Sequence, residues 1–342
     1  MTTKEERLGL DDTVDLAGIL SFPASDAPAW SPTHVGAPRE APRCNSAELL
    51  HDVVQMIRDD VHLLGEIVGL GAERPRNAVL SSVATTIEKR LCEAGLAVKT
   101  RPPSIGAPGN IEAVIIGVEK PAEAVVIAAD YGIVCTPAAF ERAASGIAGL
   151  LALAHALQEP PLSRTVRFVA LVNRDHSASC GAEAYADDLL RAGPRVAAMM
   201  SIESIGVVHS EDAASRKPPV KKRISDALCL VGDVRSASTM RKAKQSAEQA
   251  NHGLVVRVPV LSCLVPRGAH VAPTRAAFVR RHIPAFSVTD AAPRLFPRFR
   301  RAAGPGPASL DFERLGRASF AIAAMVRELA GPHPRTSQTP TA

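Results

Sequence analysis

Apolar residues recur three and four positions apart from Ala47 to Leu70, the period of one helix face, and the run stops near Gly69 and Gly71. Val79–Ala94 repeats that period and ends at Gly95, a residue suited to closing a helix. The pattern then changes. Leu96–Arg101 and Asn110–Gly117 read as strands, the second rich in β-branched residues. Ala124–Ala129 is continuously apolar, as expected of a strand covered on both faces. A loop is expected up to Ala144, then a helix over Gly146–Leu157. Thr165–Val172 is another covered strand. Helices are predicted over Glu183–Arg191, Ala237–Ala250 and Leu310–Leu329, and strands over Ala197–Ile202, Ala227–Val231 and Pro284–Thr289. This alternation predicts an α/β fold: a three-layer α/β/α sandwich with a mixed, mostly parallel central sheet. In such sheets ligands sit at the carboxyl ends of the strands. Chemistry is therefore expected in the loops after Ala129, Val172, Ile202 and Thr289.

Composition narrows the class. The 342 residues are 46% hydrophobic, enough for a large core, yet only 4% aromatic, so that core must rest on small aliphatic side chains. Residues 1–45, rich in Pro, Ala, Asp and Ser, read as a flexible or loosely packed arm. Residues 46–331 are expected to form a single domain, and 332–342 a disordered tail. The six cysteines lie more than 30 residues apart and form no Cys-x-x-Cys pair, which predicts free thiols in a reducing compartment. No long uncharged apolar run is present. The expectation is a cytoplasmic protein with no membrane and no nucleic-acid partner. The net charge of +5 is partly local. The basic segment 294–301 is a candidate surface for an acidic protein partner.

The candidate loops carry a resemblance. The stretches NIEAVIIG (110–117), AVVIAADYGIV (124–134), AASGIAGLLALAHAL (143–157), RTVRFVALVN (164–173), MSIESIG (200–206) and LDFERL (310–315) stand in order and at matching separations. Together they are similar to the di-zinc aminopeptidase family, of the aminopeptidase Y, bacterial leucyl aminopeptidase and glutaminyl cyclase type. The resemblance implies a two-zinc site and says where its ligands should be. The family's His-Tyr-Asp stands here as Asp130-Tyr131-Gly132. Its bridging aspartate position is taken by Arg142. Its Glu-Glu pair, a general base followed by a ligand, is Arg174-Asp175. Its next acid is kept as Glu203. Its last histidine aligns with Pro297–Arg300, Arg298 or Arg300 depending on register. A further family segment, Ser-Asp-His, aligns with Pro273-Thr274-Arg275.

These replacements decide the functional expectation. A guanidinium has no lone pair for a metal, and Arg174 cannot accept a proton from a metal-bound water. The expected protein is a degenerate member of the family: metal-free, without a cofactor, and no conventional zinc aminopeptidase. Asp130, Asp175 and Glu203 are expected to meet Arg142, Arg174 and Arg300 in a buried salt-bridge network, with Tyr131 and His176 completing the ligand pocket. The alternatives are a decayed pocket with its arginines in solvent, or a single hard cation on the three carboxylates. Two functions stay open. The cleft binds a peptide-like, amino-acid-like or acyl ligand, or it runs a metal-independent reaction on a small amine or acyl substrate. In the second case Asp130, Asp175, Glu203 or His176 supplies acid–base chemistry. His176 also reads as a surface residue, Cys135 and Cys180 as ordinary thiols, and His155 as a packed core histidine. No nucleophile elbow, P-loop or dinucleotide motif is present.

Overall fold

The predicted alternation folds around one eight-stranded sheet. The computed structural model describes residues 46–70, 74–101, 108–132, 137–173, 180–206, 227–250, 253–261, 273–290 and 310–331. The expected arm and tail lie outside these residues. The helices are α1 (Ser46–Leu70), α2 (Arg76–Glu93), α3 (Pro137–Ala156), α4 (Cys180–Ala192), α5 (Ala237–Gln249), α6 (Pro273–Val279) and α7 (Phe312–Ala330). The strands are β1 (Val98–Arg101), β2 (Asn110–Ile115), β3 (Lys120–Asp130), β4 (Arg164–Leu171), β5 (Arg195–Ile202), β6 (Ala227–Gly232), β7 (Val255–Leu261) and β8 (Ala285–Thr289).

Three differences from the sequence reading have physical causes. Helix α3 begins at Pro137, nine residues before the predicted start, because a proline suits a first helical position and Ala138–Phe140 continue the helix without a break. Arg142 therefore rides on a helix and not on a loop. Helix α6, at seven residues, is too short to show a period, and the edge strand β7 contains Pro259.

The sheet order is β1-β2-β4-β3-β5-β8-β6-β7. Its centre is parallel: β3 pairs with β4 and with β5, and β5 with β8. The pairs β1–β2, β2–β4 and β6–β8 are antiparallel, and β6–β7 is parallel. The mixed sheet is as predicted. Side chains alternate between its faces. Val125, Ile127, Phe168, Met200 and Ile202 enter the large cluster under α1, α2, α3, α5 and α7. Val126, Val169, Leu171 and Met199 enter the smaller cluster under α4 and α6.

One charged side chain is wholly inside that second layer. Arg167, in the middle of β4, is 0% exposed. It donates to Glu112 at 2.7 Å, and the Tyr185 hydroxyl donates to the same carboxylate oxygen at 2.6 Å. This triad joins β2, β4 and α4 away from the strand ends.

Candidate functional site

Strand alternation brings the polar residues to one place. Asp130 ends β3, Asn173 follows β4 and Glu203 follows β5. Each lies an even number of residues from a side chain of the α4/α6 layer, so the pleat directs all three toward α6.

Asp130 is held by its own backbone surroundings. Its Oδ1 accepts from Gly132 N at 2.8 Å and Asn173 N at 3.4 Å, and its Oδ2 accepts from Asn173 Nδ2 at 2.9 Å. Asn173 also donates to Thr274 Oγ1 at 3.1 Å and accepts from Ala182 N at 3.2 Å. The fully buried Asn173 thus ties β3, β4, α4 and α6 together. Burial pushes the Asp130 carboxyl up to about 6, against the hydrogen bonds from Asn173 and Gly132; the nearby Glu203 charge pushes the same way. Gly132 is required by close approach. A Cβ there would lie 1.7 Å from the Asn173 carbonyl oxygen.

Glu203 is half-buried at the end of β5. Its Oε1 accepts from Ser201 Oγ at 2.8 Å and Ser287 Oγ at 3.2 Å, and the two hydroxyl oxygens lie 2.8 Å apart. The pairing of Ser201 with Ser287 across β5 and β8 sets this arrangement. Ser204, the next residue, has φ 52°, a left-handed conformation that costs a serine about 1 kcal/mol or more. Such outliers persist where the surroundings over-determine them. Burial raises the Glu203 pKa; the Ser201 hydroxyl, Arg275, Ser287 and Arg142 oppose this. Arg142, half-buried in the second turn of α3, sits near the positive end of its helix dipole. The acid at Glu203 offsets that unfavourable placement.

Arg275 on α6 is 2% exposed. Burial lowers its pKa, opposed by Glu203 and Asp233. Asp233 itself accepts from Ser236 N and Oγ, both at 3.0 Å.

The sequence-predicted residues divide as follows. Asp130, Arg142 and Glu203 come together at the strand ends. Among the described residues, Asp130 meets the Gly132 and Asn173 amides and the Asn173 side chain. Tyr131 does not face the cleft: it is buried in the large core cluster, and its hydroxyl donates to the Gly109 carbonyl at 2.6 Å. Arg174, Asp175, His176, Arg298, Arg300 and Cys135 lie outside the described residues, as does the basic segment 294–301. His155 is exposed and not a core residue. Asn173, Ser201 and Ser287 were not singled out in advance, and Arg275 was named only within the aligned segment Pro273-Thr274-Arg275. The Ser-x-Glu spacing of Ser201 and Glu203 was readable, because residues two apart on a strand share a face. Ser287 and Arg275 required the sheet register and a short helix.

Two cavities lie elsewhere. One of about 460 Å³ is lined by His62, Glu66, Phe140, Glu141 and Phe312, beside the first turns of α3. The other, of about 380 Å³, is lined by Asp59, Asp60, Arg90, Glu93, Leu151 and His155 near the far end of α3. His155 and Arg142 are 13 positions apart on α3, so the second cavity is roughly 20 Å from the strand ends. Asp60 there is 3% exposed and ion-paired with Arg90 at 2.7 Å. Burial nevertheless pushes its carboxyl up to about 6. The folded chain then holds a proton that the unfolded chain releases near pH 4. This group's stabilisation is present below about pH 4 and is lost as pH rises through about 6, roughly 3 kcal/mol in all. Asp60→Asn should flatten the change in urea midpoint between those pH values. A variant profile that overlays the wild type would contradict the assignment.

Comparisons with known proteins rest on structure alone. No family model matches the sequence, and no curated protein does. A glutaminyl cyclase from Fimbriiglobus ruber matches with TM-score 0.58 at 13% identity, covering 80% of this chain and 94% of that one. The chain has the zinc-exopeptidase-like fold. The LapA aminopeptidase of Legionella pneumophila matches with TM-score 0.58 at 12% identity, covering 86% of this chain and 77% of its own. A leucine aminopeptidase precursor from Bacteroides thetaiotaomicron matches with TM-score 0.52 at 13% identity, covering 80% and 96%. At these identities the likeness is one of fold.

Whether two zinc ions suit the zinc-exopeptidase-like fold in this chain is a question of donors. A zinc pair needs imidazole or carboxylate ligands and a bridging anion. Among the described residues no three His, Cys, Asp or Glu side chains are grouped to hold a metal ion. Asp130 accepts from three N–H donors, and the residue that the resemblance aligns with a bridging aspartate is Arg142. The described donor set does not fit a two-zinc centre. Nor is any helix of the described residues long and apolar enough to cross a membrane.

Proposed function

We propose that this chain is a metal-independent relative of the di-zinc aminopeptidases that has lost zinc-dependent peptide hydrolysis. Its rebuilt cleft binds a peptide-like, amino-acid-like or acyl ligand. One observation carries the reading: the acid at the end of β5, Glu203, lies under the charges of Arg142 and Arg275, where the resemblance calls for metal ions. A fixed guanidinium repels a divalent cation and offers it no lone pair. Oriented charges at the strand ends are what a polar ligand requires. Residues 46–331 form the working domain, and the chain acts in the cytoplasm.

A second reading is favoured by Asp130 and Glu203 themselves. Burial raises both carboxyl pKa values toward the range useful for proton transfer. A metal-independent reaction on a small amine or acyl substrate would use them.

The deciding experiment is metal analysis of the dialysed protein, with hydrolysis of leucine p-nitroanilide measured alongside. The expected result is zinc well below one per chain and no turnover. Arg142→Asp combined with Asp130→His should stay inactive, because position 174 still lacks a base. Stoichiometric zinc with turnover in the wild type overturns the reading.

A further inference from the structure

Arg275 is a charged group that the fold buries at the strand ends without a direct ion pair among the described residues. It is 2% exposed, its Nε is buried without a hydrogen-bond partner, and among the described residues its terminal nitrogens make no hydrogen bond or ion pair. A buried guanidinium is costly unless acceptors meet its N–H groups. Glu203 and Asp233 act on it electrostatically, but neither is an ion-pair partner within reach. Both acids have other engagements. Glu203 Oε1 takes two serine hydroxyls, and Asp233 takes the amide and hydroxyl of Ser236. Arg167 shows the contrast within the same protein: equally buried, it meets Glu112 directly at 2.7 Å. Arg275 has no such direct partner among the described residues.

The position of Arg275 agrees with a waiting acceptor site. It stands at the strand ends, beside Thr274, whose hydroxyl oxygen accepts from Asn173 and leaves its proton to donate. We propose that Arg275 receives the carboxylate of the ligand, so that the cleft selects small molecules or peptides ending in a free carboxylate. A planar fork of N–H donors matches two carboxylate oxygens. The negative charges of Glu203 and Asp233 nearby favour a monoanion over a doubly charged phosphate. Arg275 is the binding residue; Glu203 and Asp233 hold its charge while the cleft is empty. This inference rests on the ligand-binding reading given above and narrows it to one end of the ligand.

The test compares N-acetyl-L-alanine with its methyl amide, which lacks the charge, and with inorganic phosphate. Each is titrated to about 10 mM and followed by thermal shift and by NMR. Wild-type protein should bind the acid at least about tenfold more tightly than the amide or phosphate, a difference of about 1.4 kcal/mol. Arg275→Met should abolish that preference and keep the wild-type thermal midpoint or raise it, because it removes a buried charge that has no direct partner among the described residues. Arg275→Lys, which keeps the charge but loses the fork, should bind the acid roughly tenfold more weakly. Equal binding of acid and amide by the wild type, or tighter binding of phosphate, overturns the carboxylate assignment without recourse to a variant. A large fall in stability of Arg275→Met with the preference intact makes the residue structural and also overturns it. Stoichiometric zinc in the wild type would instead defeat the metal-free reading, whatever the titrations show.

Discussion

Gly132→Ala should lower the thermal midpoint by at least about 6 °C, a loss of roughly 3 kcal/mol or more for a chain of this size. The added methyl group would sit 1.7 Å from the Asn173 carbonyl oxygen and 2.6 Å from the Asn173 nitrogen. Both neighbours are backbone, and they are anchored. Asn173 is tied to Asp130, Thr274 and Ala182, while Arg76 donates to the Gly132 carbonyl. Nothing nearby is the loose end of a side chain that turns aside. The loops after β3 and β4 must therefore part, and the hydrogen bonds to Asp130 must break with them. The same contact bears on function. The resemblance places an aspartate at position 132, and this chain has closed the space that such a side chain needs. A midpoint within about 1 °C of the wild type would show that the two loops separate freely.

Glu112→Gln should cost about 3 kcal/mol or more, read from the urea midpoint. Arg167 has no exposure at all, and loss of its carboxylate partner leaves an ionised guanidinium in the α4 layer. Breaking one side of a buried pair is more harmful than removing both sides. The double change Glu112→Leu with Arg167→Met should accordingly recover most of the loss. Simple addition of the two single effects would show that the charges are not coupled. This triad stands apart from the strand ends that carry the candidate site. A buried arginine beside an acid is thus not, in this chain, a mark of a replaced metal by itself. What distinguishes Arg142 is its place near the start of a helix and beside Glu203. What distinguishes Arg275 is the absence of a direct partner among the described residues.

The candidate site was partly legible before any coordinates. The acid at Glu203 and the arginine at 142 could be named because the flanking strands and helix keep a recognisable order. The environment of Asp130 could not be named. Its partners are the Gly132 and Asn173 amides and the Asn173 side chain, the last two 43 residues away in sequence. Tyr131 looked like a cleft residue because it adjoins Asp130, but adjacent residues on a strand point to opposite faces. His155 looked buried because its helix is apolar, whereas it is exposed and lines the cavity beside Asp59, Asp60 and Arg90.

By itself the sequence determined the architecture. Runs of Ala, Val, Ile and Leu with strand length, separated by helical periods, admit few arrangements other than a sheet covered on both sides, and local periodicity is a property of neighbouring residues. Only the tertiary structure decided which polar groups face one another. The pairing of β5 with β8 sets Ser201 against Ser287 and so turns Glu203, while seven residues of α6 carry Thr274 and Arg275 to the same spot. Such meetings depend on register and on contacts far apart along the chain, as between Asn173 and Thr274 at 101 positions or Ser201 and Ser287 at 86. No pattern of adjacent residues encodes that distance, because it arises only when separate elements pack.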